Sequence, residues 1–372
     1  MTLTIDRNAI DGLKAQIVLS DVIGQSVRLN RSGTWMLGLC PFHEESNPSF
    51  AVKDIDGRYV CFTCGAHGDI FDWVAHTDNL DPKADFLKVF RRVQDIAGDH
   101  SVATALPQHD TAMRGEKIKT DTEERRQKAI RHWRKGRPIE GTKAETYLRD
   151  CRGIRTVDFS GMPFRFIDDH ERWIWCDQLK KPVMVGRWPC LLTAIQEVVP
   201  NADGKHRFLA LHRTWFELGN PKNPQGKVKI TYTEPGGKVR KIARKKIDGD
   251  WFGRGAIMLT GAGEVQATTE GIENGLTALE LGPYKHVWVS VSLNAFATMP
   301  LLPVTRRLVI ISDSDSKSRR DALMHQEQLT GAMHRQRLDH NVDVDLKPAP
   351  PGYDLNDWHL KQLLHHALAT GQ

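Results

Sequence analysis

The chain has 372 residues, enough for two or three domains that each bury a hydrophobic core. Its 40% hydrophobic and 26% charged residues exclude a disordered or fibrous protein. No run approaches eighteen apolar residues and no signal peptide opens the sequence, so we expect no membrane partner and a cytoplasmic location. Six cysteines are too few for a disulfide scaffold, and a net charge of +6 favours polyanionic partners only weakly.

The first hundred residues predict helices around a group of short strands. Apolar periodicity predicts a first helix over residues 10–23, and two later helices over residues 70–76 and 85–96. Between them, alternating apolar residues predict four strands, at residues 27–29, 35–39, 50–53 and 58–61.

Cys40, His43, Cys61 and Cys64 have the spacing of a zinc site. A Cys-x2-His pair is followed, after seventeen residues, by a Cys-x2-Cys pair. Two short ligand pairs at tight turns suit tetrahedral Zn²⁺, and four protein ligands leave no position for water, so the zinc would be structural. The alternative is ordinary buried cysteines, which is how we interpret the unpatterned Cys151, Cys176 and Cys190.

The residues around these ligands resemble the zinc-binding domain of DnaG-type primases. The resemblance is carried by PFH at residues 41–43, NPSF at 47–50, CFTCG at 61–65 and GDIF at 68–71. It implies a zinc-ribbon DNA-binding domain over residues 1–97 that contacts the single-stranded template.

Residues 98–140 are expected to be a linker followed by a charged helix. Periodicity is lost over residues 98–118, whereas residues 122–135 contain EERRQKAIRHWRK. Such a helix is more often a solvated face than a phosphate-binding one.

Residues 141–255 predict a basic α+β subdomain, with strands at residues 162–167, 182–187, 191–197 and 208–214. Its opening, GTKAETYL followed by RGI, resembles small primases of phages and mobile elements. Twelve Lys or Arg and only two acids lie between residues 205 and 246. This density favours a groove for nucleic acid or triphosphates over a basic surface without a ligand. The candidate binding residues are Lys238, Arg240, Lys241, Arg244, Lys245 and Lys246.

Acidic residues follow three predicted strands of the last segment. The strand at residues 264–269 ends at Glu270 and precedes a helix over residues 272–279. The apolar run 307–311 ends at Asp313 and Asp315, and Asp354 follows a strand at residues 342–346. Because carboxyl ends of parallel strands share one edge of a sheet, the acids should bind Mg²⁺ or Mn²⁺ there. Asp-Ser-Asp alone is more often a turn or helix cap.

The order of these acids resembles the Toprim domain, a Rossmann-like parallel sheet, which we place at residues 256–372. The resemblance implies Glu270, Asp313 and Asp315 as magnesium ligands and Asp354 as a further catalytic acid. Asn274 and Asn356 depart from its pattern, and a neutral amide is a poor Mg²⁺ ligand. Glu273 and Asp357 are the acids that could substitute. The predicted fold class is therefore multidomain, α/β and α+β.

These resemblances imply a DNA primase that makes short RNA primers on single-stranded DNA from ribonucleoside triphosphates. The short segment after Asp357 and the absence of a GxxxxGK[ST] motif predict a stand-alone form, as in phages and mobile elements, with no fused helicase motor. The sequence leaves open whether a separate replicative helicase binds this chain as a partner in trans. Two alternatives stay open as well: a Toprim nuclease or phosphotransferase, and a non-catalytic zinc-ribbon protein that binds single-stranded DNA. A topoisomerase would need a further large domain with a reactive Tyr.

Overall fold

The chain folds into two compact units, Met1–Asp121 and Thr122–Gln372. The computed structural model describes residues 7–32, 35–44, 48–54, 57–61, 66–82, 84–98, 123–176, 178–249, 251, 254–293, 295–316 and 318–370. Across these segments, no helix combines the length and apolar character needed to cross a bilayer. The predicted linker residues 98–118 lie almost entirely outside the described part of the chain.

The first unit is a small antiparallel sheet with helices packed against it. Its strands run in the order β1 to β5, each paired with the next. Phe50, Tyr59 and Trp73 form its aromatic centre, with ring centroids 5.4 to 6.0 Å apart. The elements are α1 (Arg7–Gln16), α2 (Leu19–Ile23), β1 (Asn30–Ser32), β2 (Trp35–Gly38), β3 (Phe50–Lys53), β4 (Arg58–Cys61), β5 (His67–Gly68), α3 (Ile70–Thr77) and α4 (Phe86–Gly98).

Two sequence predictions in this unit were wrong. The helix expected over residues 10–23 is two helices, because Val18 has an extended backbone (φ −85°, ψ 108°) and precedes α2 as its N-cap. The strand expected at residues 27–29 is instead Asn30–Ser32. Helix α3 begins where predicted because Asp69 and Asp72 form a capping box at its first turn.

The second unit is built on one nine-stranded sheet. Eight strands follow the order β11-β8-β7-β12-β14-β13-β15-β16, β6 pairs with β7, and β9 and β10 form a separate hairpin. The helices are α5 (residues 123–135), α6 (Lys143–Thr146, continuing as a π-helix Tyr147–Cys151), α7 (Ile272–Leu281), α8 (Ala295–Thr298), α9 (Arg319–His340) and α10 (Leu355–Thr370). The strands are β6 (Phe164–Cys176), β7 (Lys181–Glu197), β8 (Phe208–Trp215), β9 (Ile230–Thr233), β10 (Val239–Ile242), β11 (Lys245–Gly249), β12 (Gly255–Met258), β13 (Val265–Thr269), β14 (Val287–Val289), β15 (Arg307–Ser312) and β16 (Asp343–Pro348).

The long strand β7 joins two segments that the sequence predicted as separate strands. Pro189 lacks the N–H that a regular strand partner requires, which favoured an interruption. In the structure Pro189 lies opposite an irregularity in β6, where the register shifts between Ile167 and His170. The missing N–H is thus accommodated at a bulge.

The parallel part of the sheet positions the predicted acids. Strands β14, β13, β15 and β16 are mutually parallel, with Thr269 opposite Ile311 and Ser312 opposite Pro348. The residues after β13 and β15 therefore emerge at the same edge. The predicted boundary between residues 255 and 256 falls inside β12, which pairs with both β7 and β14. The fold class predicted from the sequence is confirmed: a small N-terminal unit, mixed α+β content and, over β12 to β16, a mostly parallel part of the sheet.

Candidate functional site

Three of the four predicted zinc ligands lie together in the first unit. The ligand atoms of Cys40, His43 and Cys61 are all within 4.8 Å of one another. His43 Nδ1 is 3.9 Å from Cys61 Sγ. A thiolate and an imidazole bound to one tetrahedral Zn²⁺ lie roughly 3.5 Å apart, so the donors fit this ion. Cys64, the fourth predicted ligand, lies outside the described residues.

Hydrogen bonds to the sulfurs support the same interpretation. The Phe42 N–H donates to Cys40 Sγ at 3.4 Å, and the Ser49 hydroxyl lies 3.2 Å from Cys61 Sγ. Donors around thiolates stabilise their negative charge and orient them toward a metal. Cys40 and Cys61 are both buried, which suits a structural ion.

The second site is an open cleft of about 190 Å³ in the second unit, at the edge where the parallel strands end. Glu270 follows β13, Asp313 follows β15 and Asp354 precedes α10, and all three side chains line the cleft. Burial, with the nearby carboxylates of Asp354, Glu270 and Asp315, raises the pKa of Asp313 to about 7. Burial also raises the pKa of Glu270. Clustered carboxylates of this kind attract a cation.

The acids lie at the same edge of the sheet, but their carboxylates are not close enough together to surround a metal ion on their own. In the described segments, Cys40, His43 and Cys61 are the only trio of possible metal ligands whose atoms all lie within 4.8 Å of one another. Asp315 is exposed, whereas Asp313 is half-buried. Mg²⁺ usually binds one or two carboxylates, keeps several waters and is completed by substrate phosphates, so this wider spacing fits it.

Asn274 is a structural link rather than a vacant ligand position. Its side-chain amide donates to Asp313 Oδ1 at 2.6 Å, and its Oδ1 accepts the Asn356 N–H at 2.9 Å. Asn356 in turn donates to the Arg152 carbonyl and to Thr277 Oγ1. The two sequence departures therefore join the acidic edge to α7 and α10.

Four cations also line the cleft: Arg152, Lys227, Arg244 and Lys245. His212 lines it too, but burial lowers its pKa to about 3. Lys245 Nζ lies 2.8 Å and Arg244 Nη2 3.2 Å from the Glu273 carboxylate. Burial alone would raise the pKa of Glu273, but Lys245, Arg244 and Arg152 hold it well below its usual value. The sequence left open that Glu273 could substitute as a metal ligand. In the structure its carboxylate is instead engaged by these cations.

Arg152 is the most buried of these cations, with 2% of its side chain exposed. Its Nη2 is 3.4 Å from Asp357 Oδ1, while Nε and Nη1 have no hydrogen-bond partner in the described part of the chain. Asp357 also accepts Lys227 at 2.9 and 3.0 Å, so it too is engaged by cations. Buried guanidinium donors without partners are costly, and a bound anion would satisfy them.

The predicted basic run does not form one cluster. Arg244 and Lys245 line the cleft, whereas Lys238, Arg240 and Lys241 lie on the β9–β10 hairpin and its turn. Lys246 points away from Lys245 along β11 and pairs with Asp248 at 3.3 Å. Burial, with Arg213 and Arg172 nearby, lowers the pKa of Lys246 to about 8.

Comparison with known proteins identifies the first unit. Residues 5–102 match the CHC2 zinc finger family, the DnaG-type zinc ribbon. The DNA primase of Listeria monocytogenes is 30% identical over 175 residues, which are 46% of this chain and 27% of that protein. The first unit thus matches the DnaG-type zinc ribbon, and the chain is similar to DNA primases over less than half of its length. With the Cys-His-Cys cluster, this match supports a structural Zn²⁺ in the ribbon.

Other DnaG-type relatives match shorter segments. The DNA primase of Lactococcus lactis is 36% identical over 96 residues, 26% of this chain and 14% of that protein. That of Helicobacter pylori is 42% identical over 74 residues, 20% of this chain and 13% of that protein. The matched segments thus span about a quarter or less of these relatives.

Two further similarities concern the rest of the chain. Residues 123–242 match a domain family of unknown function (DUF7146). Among solved structures, the Aquifex aeolicus primase (zinc binding and RNA polymerase domains) is 16% identical with a TM-score of 0.37, covering 97% of this chain and 85% of that one. A likeness at this score does not establish a shared arrangement.

Sequence reasoning missed three cleft residues, Arg152, His212 and Lys227. The segment RGI was noted for its resemblance to small primases of phages and mobile elements, but its arginine was given no role. Gly153 has φ +68°, and a Cβ there would lie 2.7 Å from Leu363 Cδ1. The available signal in the sequence was Gly153 itself, since glycine is used where the backbone approaches another element closely, here α10. Lys227 had no signal beyond its charge, and His212 had none.

Proposed function

We propose that this chain is a DNA primase, a DNA-directed RNA polymerase that makes short RNA primers on single-stranded DNA. The observation that carries the proposal is the cleft, where Glu270, Asp313 and Asp354 face Arg152, Lys227, Arg244 and Lys245 at the end of a parallel sheet. Carboxylates that hold metal, beside cations that hold phosphates, are what nucleotidyl transfer requires. We assign the parallel sheet to a Toprim domain on this basis.

In the proposed reaction a ribonucleotide 3′-hydroxyl attacks the α-phosphate of the next triphosphate and releases pyrophosphate. Glu270, Asp313 and Asp315 would hold Mg²⁺ or Mn²⁺, which supplies charge stabilisation to the phosphoryl group. Asn274 orients the Asp313 carboxylate through its 2.6 Å hydrogen bond. Asp354 adds negative charge to the acidic side of the cleft.

The basic residues bind the triphosphate in this proposal. Arg152 lines the cleft and contributes its positive charge there; its Nε and Nη1 are buried and have no partner among the described residues. Lys227, Arg244 and Lys245 are each paired with a carboxylate, which fixes their positions beside the cleft. The zinc ribbon would contact the template. We further propose that the primer serves a phage, plasmid or other mobile element.

The test is primer synthesis on single-stranded DNA with labelled ribonucleotides and Mg²⁺ or Mn²⁺. The wild-type chain should make short RNA, and Asp313→Ala or Glu270→Ala should abolish it. Asp343→Ala is the matched control, because Asp343 is an exposed acid at the opposite end of β16. This variant should make primers as the wild-type chain does. Shortened DNA without RNA would identify a nuclease, and binding without either product would identify a non-catalytic protein.

A further inference from the structure

His212 lies on the face of β8 that borders the cleft. It is paired with Thr193 of β7 and Ile247 of β11, so these side chains share one face of the sheet. Lys245 is opposite Thr214, two residues further along β8, which makes Lys245 the diagonal neighbour of His212. Diagonal neighbours in an antiparallel pair are roughly 7–8 Å apart. The imidazole therefore lies beside a cation that also lines the cleft.

One ring nitrogen of His212 is engaged within the fold, and the other faces the cleft. Nδ1 lies 3.4 Å from Thr214 Oγ1 on the same strand. Nε2 has no hydrogen-bond partner among the described residues and, unlike the Thr193 hydroxyl, is not enclosed by protein. Because His212 is otherwise buried and lines the cleft, its Nε2 is presented to a molecule that binds there.

The ring of His212 carries no charge at neutral pH. Burial, together with the positive charge of Lys245, lowers the pKa of His212 to about 3, although Glu273 opposes the shift. His212 therefore adds no positive charge to the four cations of the cleft. In a neutral imidazole each nitrogen either donates or accepts, according to the tautomer. A hydroxyl group pairs with Nε2 in both cases, because it can donate and accept.

The uncharged polar groups of a nucleotide are the edge of its base and the hydroxyls of its ribose. Each base presents its own pattern of donors and acceptors, so one fixed nitrogen at the base edge would favour one nucleotide over the others. A primase must accept all four bases, whereas the ribose hydroxyls are the same in every ribonucleotide. This step of the argument for a ribose contact rests on the proposed function.

We propose that His212 contacts the substrate and determines its sugar specificity, with Nε2 hydrogen-bonded to a ribose hydroxyl of the bound ribonucleoside triphosphate. Thr214 orients the imidazole through Nδ1. A deoxy analogue would leave Nε2 without a partner once the cleft is filled, and a buried polar group without a partner costs binding free energy. The cleft therefore binds a ribonucleotide more tightly than the analogue that lacks the contacted hydroxyl.

The experiment is calorimetric titration of the full chain, in the presence of Mg²⁺, with ATP, 2′-deoxyATP and 3′-deoxyATP. The wild-type chain should bind ATP roughly fivefold more tightly than at least one deoxy analogue, the size expected for one hydrogen bond between uncharged groups. His212→Phe should weaken ATP binding by the same factor and leave the affinity for that analogue unchanged. His365→Phe, at an exposed histidine of α10, is the matched control and should keep the wild-type preference.

Thr214→Val is a second variant, which keeps the shape of the side chain and removes the hydroxyl beside Nδ1. It should lower the preference for ATP in part, and it decides the outcome if circular dichroism shows that His212→Phe is unfolded. Equal affinity of the wild-type chain for all three nucleotides would overturn the inference. A folded His212→Phe variant that keeps the preference, or that weakens all three nucleotides equally, would also overturn it, since an equal loss indicates only structural support of Lys245.

Primer synthesis separates this inference from the proposed function. If the wild-type chain makes primers and His212→Phe keeps the preference for ATP, the inference alone is wrong. If the wild-type chain makes no primers but His212→Phe loses the preference, the proposed function alone is wrong.

Discussion

Glu273 and Lys245 form a 2.8 Å ion pair at the base of the cleft, between a carboxylate on α7 with 7% of its side chain exposed and an ammonium on β11. The same carboxylate lies 3.2 Å from Arg244 Nη2 and accepts the Tyr147 hydroxyl at 3.1 Å. One buried acid therefore fixes two of the cations that line the cleft beside the acidic edge. Its loss should affect both folding and phosphate binding.

Glu273→Gln should lower the free energy of unfolding of the second unit by about 3–5 kcal/mol at pH 7, because it leaves two partly buried cations without their counterion. Urea unfolding monitored by tryptophan fluorescence measures the change. Glu264→Gln, an exposed acid before β13, is the control and should unfold as wild type.

The Glu273 contribution should also depend on pH. Its pKa in the folded chain is held well below the unfolded value of about 4.3, so its stabilisation is fully present above that pH and is lost as pH falls below it. The stability difference between wild type and Glu273→Gln should therefore be constant from pH 7 to 5 and shrink below about pH 4.3. A difference that grows on acidification would contradict the ion pair.

Asn274→Ala should destabilise the second unit by about 1–3 kcal/mol, because the buried Asn356 N–H loses its acceptor. Thermal unfolding checks this. Asn274→Asp keeps the acceptor but places a second carboxylate against Asp313, so its loss of Tm should diminish when Mg²⁺ is added. A Tm that is identical for Asn274→Ala and wild type would show that the link carries no stability.

Cys61→Ser should remove zinc from the first unit and unfold it, because a structural zinc site supplies folding free energy that this small sheet otherwise lacks. Metal analysis should show one zinc per wild-type chain and none in the variant, with the second unit still unfolding cooperatively. Cys151→Ser, a half-buried thiol of the second unit, should retain the zinc. Full zinc content in Cys61→Ser would exclude Cys61 as a ligand.

Arg152→Lys should weaken binding of a ribonucleoside triphosphate about tenfold or more, because lysine keeps the charge but lacks the planar guanidinium fork. Calorimetric titration in the presence of Mg²⁺ measures the affinity for the triphosphate. Arg155→Lys, at an exposed position three residues away, is the control. Equal affinity in both variants would remove Arg152 from the proposed phosphate site.

Much of the zinc site and acidic edge could be predicted from local patterns. The spacing of Cys40, His43 and Cys61 places ligands at neighbouring turns, and the structure brings their donor atoms together. The strand before Asp313 was identified from the apolar run 307–311, since a strand buried on both faces needs such a run. The predictions of secondary structure were wrong where local signals were weak: at Val18, where the first helix divides in two, and at Pro189, which lies inside β7.

The candidate zinc ligands and acids could be named from local patterns, because ligand spacing and strand periodicity are properties of neighbouring residues. How those residues are partnered became visible in the three-dimensional structure alone. Arg152 meets Asp357 across 205 positions of sequence, and Asn274 meets Asp313 across 39. Such pairings arise from packing between elements, which is why Glu273 and Asp357 looked like spare ligands in the sequence and are ion-paired in the fold. For the same reason the basic run, continuous in sequence, divides between the cleft, the β9–β10 hairpin and the other face of β11.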